Sequence, residues 1–257
     1  MGQALIPAEL IRTLQESQMV TVLTGSGVSA ESGIPTFREA LSGLWSRFRP
    51  EELATPEAFE HDPEKVTRWY DQRRTMCLGC EPNAGHAALT TLGRIVQNQN
   101  GRFALITQNV DRLHQRSGSH GVVELHGSLF VWRCISCHRN FERLGTAFKQ
   151  FPPPCTDCRG ALRPGVVWFG ETLPAEVFDA AQCAASDCDL FFSVGTSSQV
   201  YPAAGLIELA LESGAKVVEV NTQPTPMSER VHWSLRGSAA TLLPSLVETM
   251  QGRTRRS

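Results

Sequence analysis

Short apolar runs alternate along this chain with longer segments whose apolar residues recur at helical spacing. The run 19–23 is rich in β-prone residues and predicts a buried strand, and segment 8–17 before it predicts an amphipathic helix. Further strands are expected near 103–107, 122–125, 190–194 and 216–220, and further helices near 63–76, 83–96, 175–185, 203–212 and 243–250. This alternation predicts an α/β fold, with a Rossmann-like parallel sheet and helices on both of its faces.

The alternation breaks at about 130–162. This stretch holds two cysteine pairs and three consecutive prolines and shows no long hydrophobic period, as expected of a small insert without a core of its own. We therefore expect a Rossmann-like domain formed by 1–129 and 163–257. Residues 130–162 form a zinc-binding insert, which makes up a small domain together with part of the 39–80 helical region. Segment 39–56 is rich in turn formers and aromatic residues and is expected to be a loop that could fold over a ligand.

Composition narrows the class of protein. With 257 residues and a formal net charge of −2, the chain is long enough to bury a core and does not have the basic balance of a nucleic-acid binder. No apolar run approaches the roughly 20 residues of a membrane span, and the first ten residues do not have the design of a signal peptide. These features predict a soluble, cytoplasmic protein with no membrane or nucleic-acid partner. The sequence leaves its oligomeric state open, and a monomer is our expectation.

The paired cysteines predict a metal site. Cys134 and Cys137, and then Cys155 and Cys158, have the C-x-x-C spacing of a four-thiolate zinc ribbon. Four thiolates complete a tetrahedral shell and leave no position for a reactive water, so one structural zinc is expected. The remaining cysteines do not form a second such set, and we expect them to be ordinary free thiols: Cys77, Cys80, Cys183 and Cys188.

A glycine-rich turn follows the first strand. Gly25 and Gly27 predict a sharp turn into a helix start, where backbone N–H groups and the helix dipole could hold a diphosphate. Gly33 comes too late to complete the G-x-G-x-x-G spacing of a hydride-transfer dehydrogenase. On spacing alone, a turn that binds no ligand remains an open alternative.

Polar residues follow two later strands. Gln108, Asn109 and Asp111 come after the second strand, at the sheet edge where α/β proteins bind ligands, although a plain polar loop is the alternative. His126 emerges after the run 122–125, and its ordinary pKa of about 6.5 suits a general base, whereas a structural histidine is the alternative. Two other histidines, His86 and His114, fit helices better, and we assign them to packing or surface roles.

Taken together, these motifs resemble those of the sirtuin family, the NAD-consuming protein deacylases. The stretch 25–38 is similar to the opening signature of that family, residues 108–111 resemble its Gln-Asn-x-Asp motif, and residues 126–128 resemble its His-Gly-Ser motif. Related motifs extend over nearly the whole chain. One departure is Ser26, since the family usually has Ala there, and this change could alter the polarity of the pocket that the residue lines.

The resemblance implies roles for individual residues. His126 would be the catalytic base, and Asn109 and Asp111 would hold the nicotinamide end of NAD. The expected NAD-contacting residues are Gly25, Ser26, Gly27, Ser29, Ala30, Glu31, Gly33, Ile34, Pro35, Phe37, Arg38, Trp45, Gln108, Asn109, Asp111, Gly195, Thr196, Ser197, Asn221, Thr222, Gln223 and Ala239. The segment that would pair with an extended substrate peptide and wall the acyl-lysine channel is Val166, Val167, Trp168, Phe169, Gly170 and Glu171. A buried strand is its plain interpretation, and the two interpretations are compatible.

The resemblance implies NAD-dependent removal of acyl groups from protein lysines, giving nicotinamide and an O-acyl-ADP-ribose. NAD would be consumed and not reduced, since no acidic residue ends a strand about 20 residues after the first glycines. Mono-ADP-ribosyl transfer and non-catalytic peptide reading are the alternatives.

Two residues bear on which acyl group is removed. Tyr70 and Arg73 lie three apart on a predicted helix and resemble the Tyr-x-x-Arg signature of class III sirtuins, which implies removal of succinyl and malonyl groups and of some acetyl groups. A solvated basic helix face that also includes Arg68 and Arg74 is the alternative for this helix.

Overall fold

The computed structural model describes residues 6–35 and 52–252. In these ranges the helices are α1 Ala8–Glu16, α2 Pro56–His61, α3 Pro63–Gly79, α4 Ala84–Asn98, α5 Leu113–Arg116, α6 Ala175–Ser186, α7 Gly205–Glu212 and α8 Ala239–Met250. The strands are β1 Met19–Thr24, β2 Arg102–Thr107, β3 Val123–Glu124, β4 Gly127–Cys134, β5 Asn140–Glu142, β6 Leu162–Val166, β7 Leu190–Val194, β8 Lys216–Asn221 and β9 Trp233–Arg236. Two 3-10 turns, Ser26–Val28 and Ala30–Ser32, follow β1.

Six of the described strands form a parallel sheet in the order β3-β2-β1-β7-β8-β9. Strand β1 pairs with β2 on one side and with β7 on the other, so the chain reverses its direction of travel across the sheet at β1. This is the strand order of a doubly wound dinucleotide-binding sheet, whose ligand crevice lies at the carboxyl ends of the strands on either side of the reversal. The predicted α/β fold is confirmed.

Helices cover both faces of the sheet. Apolar residues of α1, α4 and α8 pack on one face, and those of α6 and α7 pack on the other. Strand β1 is buried at all six positions because it lies in the middle of the sheet with helices on each side. Its largely apolar sequence therefore follows from burial on two faces, as in other parallel sheets.

The insert forms a second, antiparallel sheet in the order β5-β4-β6. The side chain of Trp132 on β4 is fully buried, in a core that the insert shares with α2 and α3. A buried ion pair strengthens this contact: Arg74 of α3 binds Asp71 at 2.6 Å and also donates to the carbonyls of Arg143, Gly145 and Thr146. Helix α3 thus packs with the zinc-binding insert.

Several details differ from the sequence-based expectation. The turn after Gly27 forms 3-10 turns and not a helix, because Gly33 adopts a left-handed φ of 85° and Pro35 follows it. Strands β4, β5 and β9 and helix α2 were not predicted, and α8 begins at Ala239, four residues before the expected start. No helix in the described ranges has the length and apolar character that a membrane span requires.

Candidate active site

Three glycines bring the loops after β1 and β7 into direct contact. Gly25 N–H donates to Val194 O at 2.9 Å, and Gly27 N–H donates to Gly195 O at 2.8 Å. A Cβ on Gly25 or Gly27 would lie 2.8 Å from backbone atoms of the β7 loop, and a Cβ on Gly195 would lie 2.6 Å from Val28 N. These glycines therefore serve the close approach of two loops. The N–H groups of Gly25 and Gly27 are engaged in these bonds, and a role for the backbone N–H groups of this turn in holding a diphosphate stays a prediction.

Side-chain hydrogen bonds join the ends of three strands at the same crevice. Gln108 Nε2, after β2, donates to Thr196 Oγ1 at 3.0 Å, and Asn221 Nδ2, at the end of β8, donates to Thr196 O at 2.8 Å. Ser197 is half-buried beside them, whereas Thr222 and Gln223 are exposed at the next positions after β8. The structure thus brings together most of the predicted nucleotide-contacting residues at one edge of the sheet.

Asn109 and Asp111 form a buried polar cluster with Ser29. Ser29 Oγ donates to Asp111 Oδ2 at 2.7 Å and accepts from Asn109 Nδ2 at 3.1 Å, and Asn109 Nδ2 also reaches Gly25 O. Asp111 Oδ1 accepts from the N–H of Leu113, which fixes the start of α5. Burial raises the pKa of Asp111, although these hydrogen bonds oppose the rise. A rigid carboxylate and amide are therefore available beneath the crevice.

His86 and His114 pack beside this cluster, in line with the packing role that we assigned to them. His86 Nδ1 accepts the N–H of Asn83, so its other nitrogen carries the proton that faces Ser29 Oγ at 3.4 Å. The two imidazole rings lie 4.8 Å apart between centroids, and His114 Nε2 bonds Thr24 Oγ1 at 2.9 Å. Burial lowers the pKa of His86 to about 4 and that of His114 to about 3. Both rings are neutral at physiological pH.

His126 lies half-buried between β3 and β4, next to the crevice. Its Nδ1 lies 3.0 Å from Gln108 O, and because a carbonyl only accepts, Nδ1 carries the proton and Nε2 has a free lone pair. Burial lowers the pKa of His126, and the bond to Gln108 partly opposes this. A neutral imidazole with a fixed tautomer and an unprotonated Nε2 is competent as a general base.

The predicted substrate segment runs from the end of β6 into a tight turn. Val167 N–H donates to His126 O at 3.0 Å, so the segment is attached directly to the residue that carries the candidate base. Trp168 is 3% exposed, and its ring centroid lies 6.3 Å from that of Tyr70 on α3. Phe169 is 46% exposed at the outer side of the turn. Tyr70 and Trp168 thus form one aromatic wall from two separate elements.

The three arginines of α3 lie in three different environments. Arg68 is exposed and pairs with Glu64, whereas Arg74 is fully buried against Asp71. Arg73 is half-buried, with its guanidinium carbon 4.7 Å from the centroid of the Trp69 ring. None of the ion pairs that the described part of the chain forms includes Arg73. A single solvated basic face therefore does not exist on this helix.

Tyr70 is a neutral hydroxyl donor. Burial raises the pKa of Tyr70 to about 12, and the nearby positive charge of Arg73 opposes part of that rise. The Tyr70 hydroxyl and the Arg73 guanidinium interact electrostatically, and both groups can donate hydrogen bonds to one carboxylate.

The four predicted zinc ligands form a compact cluster. Their sulfur atoms all lie within 4.8 Å of one another, with Cys134 and Cys158 at 3.4 Å and Cys137 and Cys155 at 3.8 Å. A tetrahedral Zn–S₄ group with bonds of about 2.3 Å has sulfur atoms about 3.8 Å apart, so the cluster fits one zinc ion. In the described ranges, the other four cysteines belong to no such group.

The remaining predicted residues lie near the crevice or outside the described ranges. Glu31 is exposed and accepts the N–H of Ala240, which places the Ala30–Ser32 turn beside Ala239 at the start of α8. Ile34 is buried and Pro35 half-buried after this turn. Three predicted contacts lie outside the described residues: Phe37, Arg38 and Trp45.

A buried network around Glu219, at the end of β8, was not predicted from the sequence. Glu219 is 1% exposed on β8 and accepts from Ser228 at 2.6 Å, Ser234 at 2.9 Å and Arg236 at 2.7 Å, as well as from Thr225. These donors all come from the segment that follows Asn221, so one carboxylate organises the loop at the end of β8. Local spacing gives no signal for such a network. By contrast, the i,i+3 spacing of Asp71 and Arg74 could have indicated their ion pair, although Arg74 was considered only as part of a solvated basic helix face.

Comparison with known families and proteins agrees with this geometry. A model of the Sir2 family matches residues 25–202. A protein of Aquifex aeolicus named NAD-dependent protein deacylase is 45% identical over 236 residues, which cover 92% of this chain and 97% of the relative. NAD-dependent protein deacylase 1 of Archaeoglobus fulgidus is 47% identical over 240 residues, with 93% and 96% covered.

Solved structures extend the comparison to three dimensions. A Sir2 homologue solved as an NAD complex superposes with a TM-score of 0.90 at 43% identity, covering 98% of this chain and 96% of the other. A Sir2 protein solved with a p53 peptide and NAD⁺ superposes with a TM-score of 0.83 at 32% identity, covering 97% and 100%.

Proposed function

Because this chain belongs to the Sir2 family, we propose that it is an NAD-dependent protein-lysine deacylase that removes succinyl and malonyl groups and, less efficiently, acetyl groups. The observation that carries the proposal is the neutral, tautomer-fixed imidazole of His126 beside the crevice. Two further features support the proposal: the buried Ser29–Asn109–Asp111 cluster and the aromatic wall formed by Tyr70 and Trp168.

In this reaction NAD would supply the ribose carbon that the acyl oxygen attacks as nicotinamide leaves. The acyl carbon would then bond to a ribose hydroxyl oxygen, and one water would displace the lysine nitrogen, so that free lysine and an O-acyl-ADP-ribose result. The residues of this chain hold the two reactants and move one proton. Asn109 and Asp111 hold the nicotinamide end in place, since both are fixed by Ser29 and largely closed to water. His126 Nε2 accepts the proton of a ribose hydroxyl while Nδ1–H stays bonded to Gln108 O, which keeps the ring oriented.

A zinc ion at the four clustered cysteines would take no part in this chemistry. Four thiolates would fill its coordination shell, so it would bind no reactive water and would hold the insert folded. We propose the same division of the chain that the sequence suggests: 1–129 and 163–257 form the nucleotide-binding domain, and 130–162 forms a small domain with α3. The shared core and the contacts of Arg74 support the grouping of α3 with the insert.

The acyl preference rests on Tyr70 and Arg73. Arginine presents a planar fork of donors that matches a carboxylate, which succinyl and malonyl groups carry and an acetyl group does not. Arg73 forms no ion pair with the described residues, and Tyr70 keeps its proton at any physiological pH. Both donors are therefore available to a carboxylate at the end of an acyl chain.

The test compares Arg73→Met with the parent on matched succinyl and acetyl peptides at saturating NAD. Charge-assisted hydrogen bonds contribute about 1.5–3 kcal/mol each, so kcat/KM on the succinyl peptide should fall tenfold or more while that on the acetyl peptide changes little. Arg68→Met is the matched control, because Arg68 is an exposed arginine on the same helix. Equal losses on both peptides would show that Arg73 serves the fold and would refute the proposed preference.

A further inference from the structure

Arg163 of β6 lies behind the aromatic wall of the site and makes an unusually complete set of contacts. Its guanidinium carbon lies 3.5 Å from the centroid of the Trp168 ring. Its Nη1 donates to Glu171 Oε1 at 2.6 Å, and its Nη2 donates to Glu171 Oε2 at 2.9 Å and to Val166 O at 3.2 Å. This is a bidentate ion pair stacked on an indole, and the two side chains are only 18% and 27% exposed.

The partner carboxylate closes the turn that carries Trp168. Glu171 Oε2 accepts the N–H of Trp168 at 2.8 Å, and Glu171 N–H donates to Trp168 O at 3.0 Å. Gly170 completes the turn with a left-handed φ of 87°. The backbone on both sides of the indole is therefore tied to one ion pair, and Arg163 covers one face of the ring itself.

The other ring contacts of Trp168 are made with the helices α2 and α3. Its ring centroid lies 5.4 Å from that of Phe59 on α2 and 6.3 Å from that of Tyr70 on α3. The ring thus spans the gap between the 166–171 segment and the helix that carries Tyr70 and Arg73. The flat face of the Arg163 guanidinium stacks on Trp168, and both of its Nη atoms already donate within the protein. Arg163 is therefore suited to position Trp168 and not to bind a ligand.

We propose that Arg163 and Glu171 are positioning residues that set the width of the acyl-lysine channel by holding Trp168 opposite Tyr70. This inference deepens the proposed function and rests on it for the identity of the channel. It assigns Glu171 a role different from direct substrate contact. It also separates two kinds of selectivity: Arg73 acts on the charged end of the acyl chain, whereas Arg163 acts on its wall and affects charged and neutral acyl groups alike.

Kinetics of Arg163→Met and Glu171→Gln test this assignment. Each variant should raise KM for succinyl and acetyl peptides by about tenfold, while KM for NAD and kcat at saturation stay within about twofold. The double variant should raise the peptide KM no further than either single variant does, because both changes break the same ion pair. Arg163→Lys should recover part of the loss, since lysine keeps the charge without the planar fork.

Arg102→Met is the matched control, because Arg102 pairs with Asp187 in an exposed position at the opposite end of β2 from the site. An unchanged peptide KM in active Arg163→Met, or a parallel rise in the KM for NAD, would overturn the assignment.

A second measurement does not depend on activity. Amide hydrogen exchange of residues 166–171 should become about tenfold faster in Arg163→Met and Glu171→Gln, with the sheet strands unchanged, because the acceptor of the Trp168 N–H is no longer fixed by the ion pair. Unchanged exchange there would refute the positioning role even if every variant were inactive. A parent enzyme without deacylation on any acyl peptide would instead refute the proposed function, and the exchange data would still decide the role of Arg163.

Discussion

The chemistry that we assign to this protein depends on the protonation state of one side chain. His126 donates from Nδ1 to Gln108 O, which leaves Nε2 free, and burial lowers its pKa below the ordinary 6.5. The sequence indicated a histidine at a strand end but contained no information about its tautomer. That detail arises from the loop after β2, which comes near His126 only in the folded chain.

His126→Ala should lose roughly 100-fold or more in kcat, the usual scale for a general base, with NAD affinity largely retained. A base must be unprotonated to act, so kcat/KM of the parent should rise with pH through an apparent pKa below about 6.5 and then level off. This acid limb should be missing from the residual activity of the variant. Titration of NAD by calorimetry supplies the control for folding, and near-normal turnover by the variant would remove His126 from the mechanism.

Most helices and strands were predicted from the sequence. Strands buried on two faces give short apolar runs, and helices buried on one face give apolar residues at helical spacing. The prediction failed where local signals were weak or misleading. The glycines after β1 suggested a helix start, yet they allow two loops to touch. Strand β9 is a four-residue edge strand with exposed Ser234 and Arg236, and only the alternation with Trp233 and Leu235 could have indicated it. Helix α2 is short, and its Thr55–Pro56 start was the available signal.

The attachment of α3 to the insert predicts a large effect on stability. Arg74→Met removes a fully buried guanidinium and leaves Asp71, at 2% exposure, without its ion-pair partner. Breaking such a pair from one side costs about 3–5 kcal/mol, so the free energy of unfolding in urea should fall by that order. Arg68→Met, which breaks an exposed pair on the same helix, should change it by less than about 1 kcal/mol. Similar small effects for both variants would contradict the structural role of Arg74.

The insert itself should depend on its metal. Elemental analysis of freshly purified protein should give one zinc per chain, held by the four clustered sulfur atoms. A strong chelator should unfold the insert and abolish activity indirectly, because zinc binding supplies much of the folding free energy of such small units. Circular dichroism and activity, followed together during chelation, should decline in parallel. A metal-free protein that stays folded and fully active would show that the cluster has no such role.

In the molecule as a whole, the change of strand order at β1 determines where the site residues meet. The loops that end β1, β2, β7 and β8 meet at one crevice, and the segment after β6 brings the Trp168 wall to its side. The sequence predicted this meeting in outline, since strand ends of a parallel sheet share one edge. It could not predict which side chains bond across the crevice, because Gln108 and Thr196 lie 88 residues apart. Likewise, the sequence could not predict the ion pair of Arg163, because it depends on the turn that brings Glu171 back to it.

The product balance of one reaction tests the proposed deacylation most sharply. The protein should be incubated with NAD and a succinyl-lysine peptide and the products quantified by mass spectrometry. Nicotinamide, free-lysine peptide and O-succinyl-ADP-ribose should form in equal amounts, and no NADH should form. ADP-ribosylated protein in place of the acyl-ADP-ribose, or NAD binding without release of nicotinamide, would contradict the proposed deacylation.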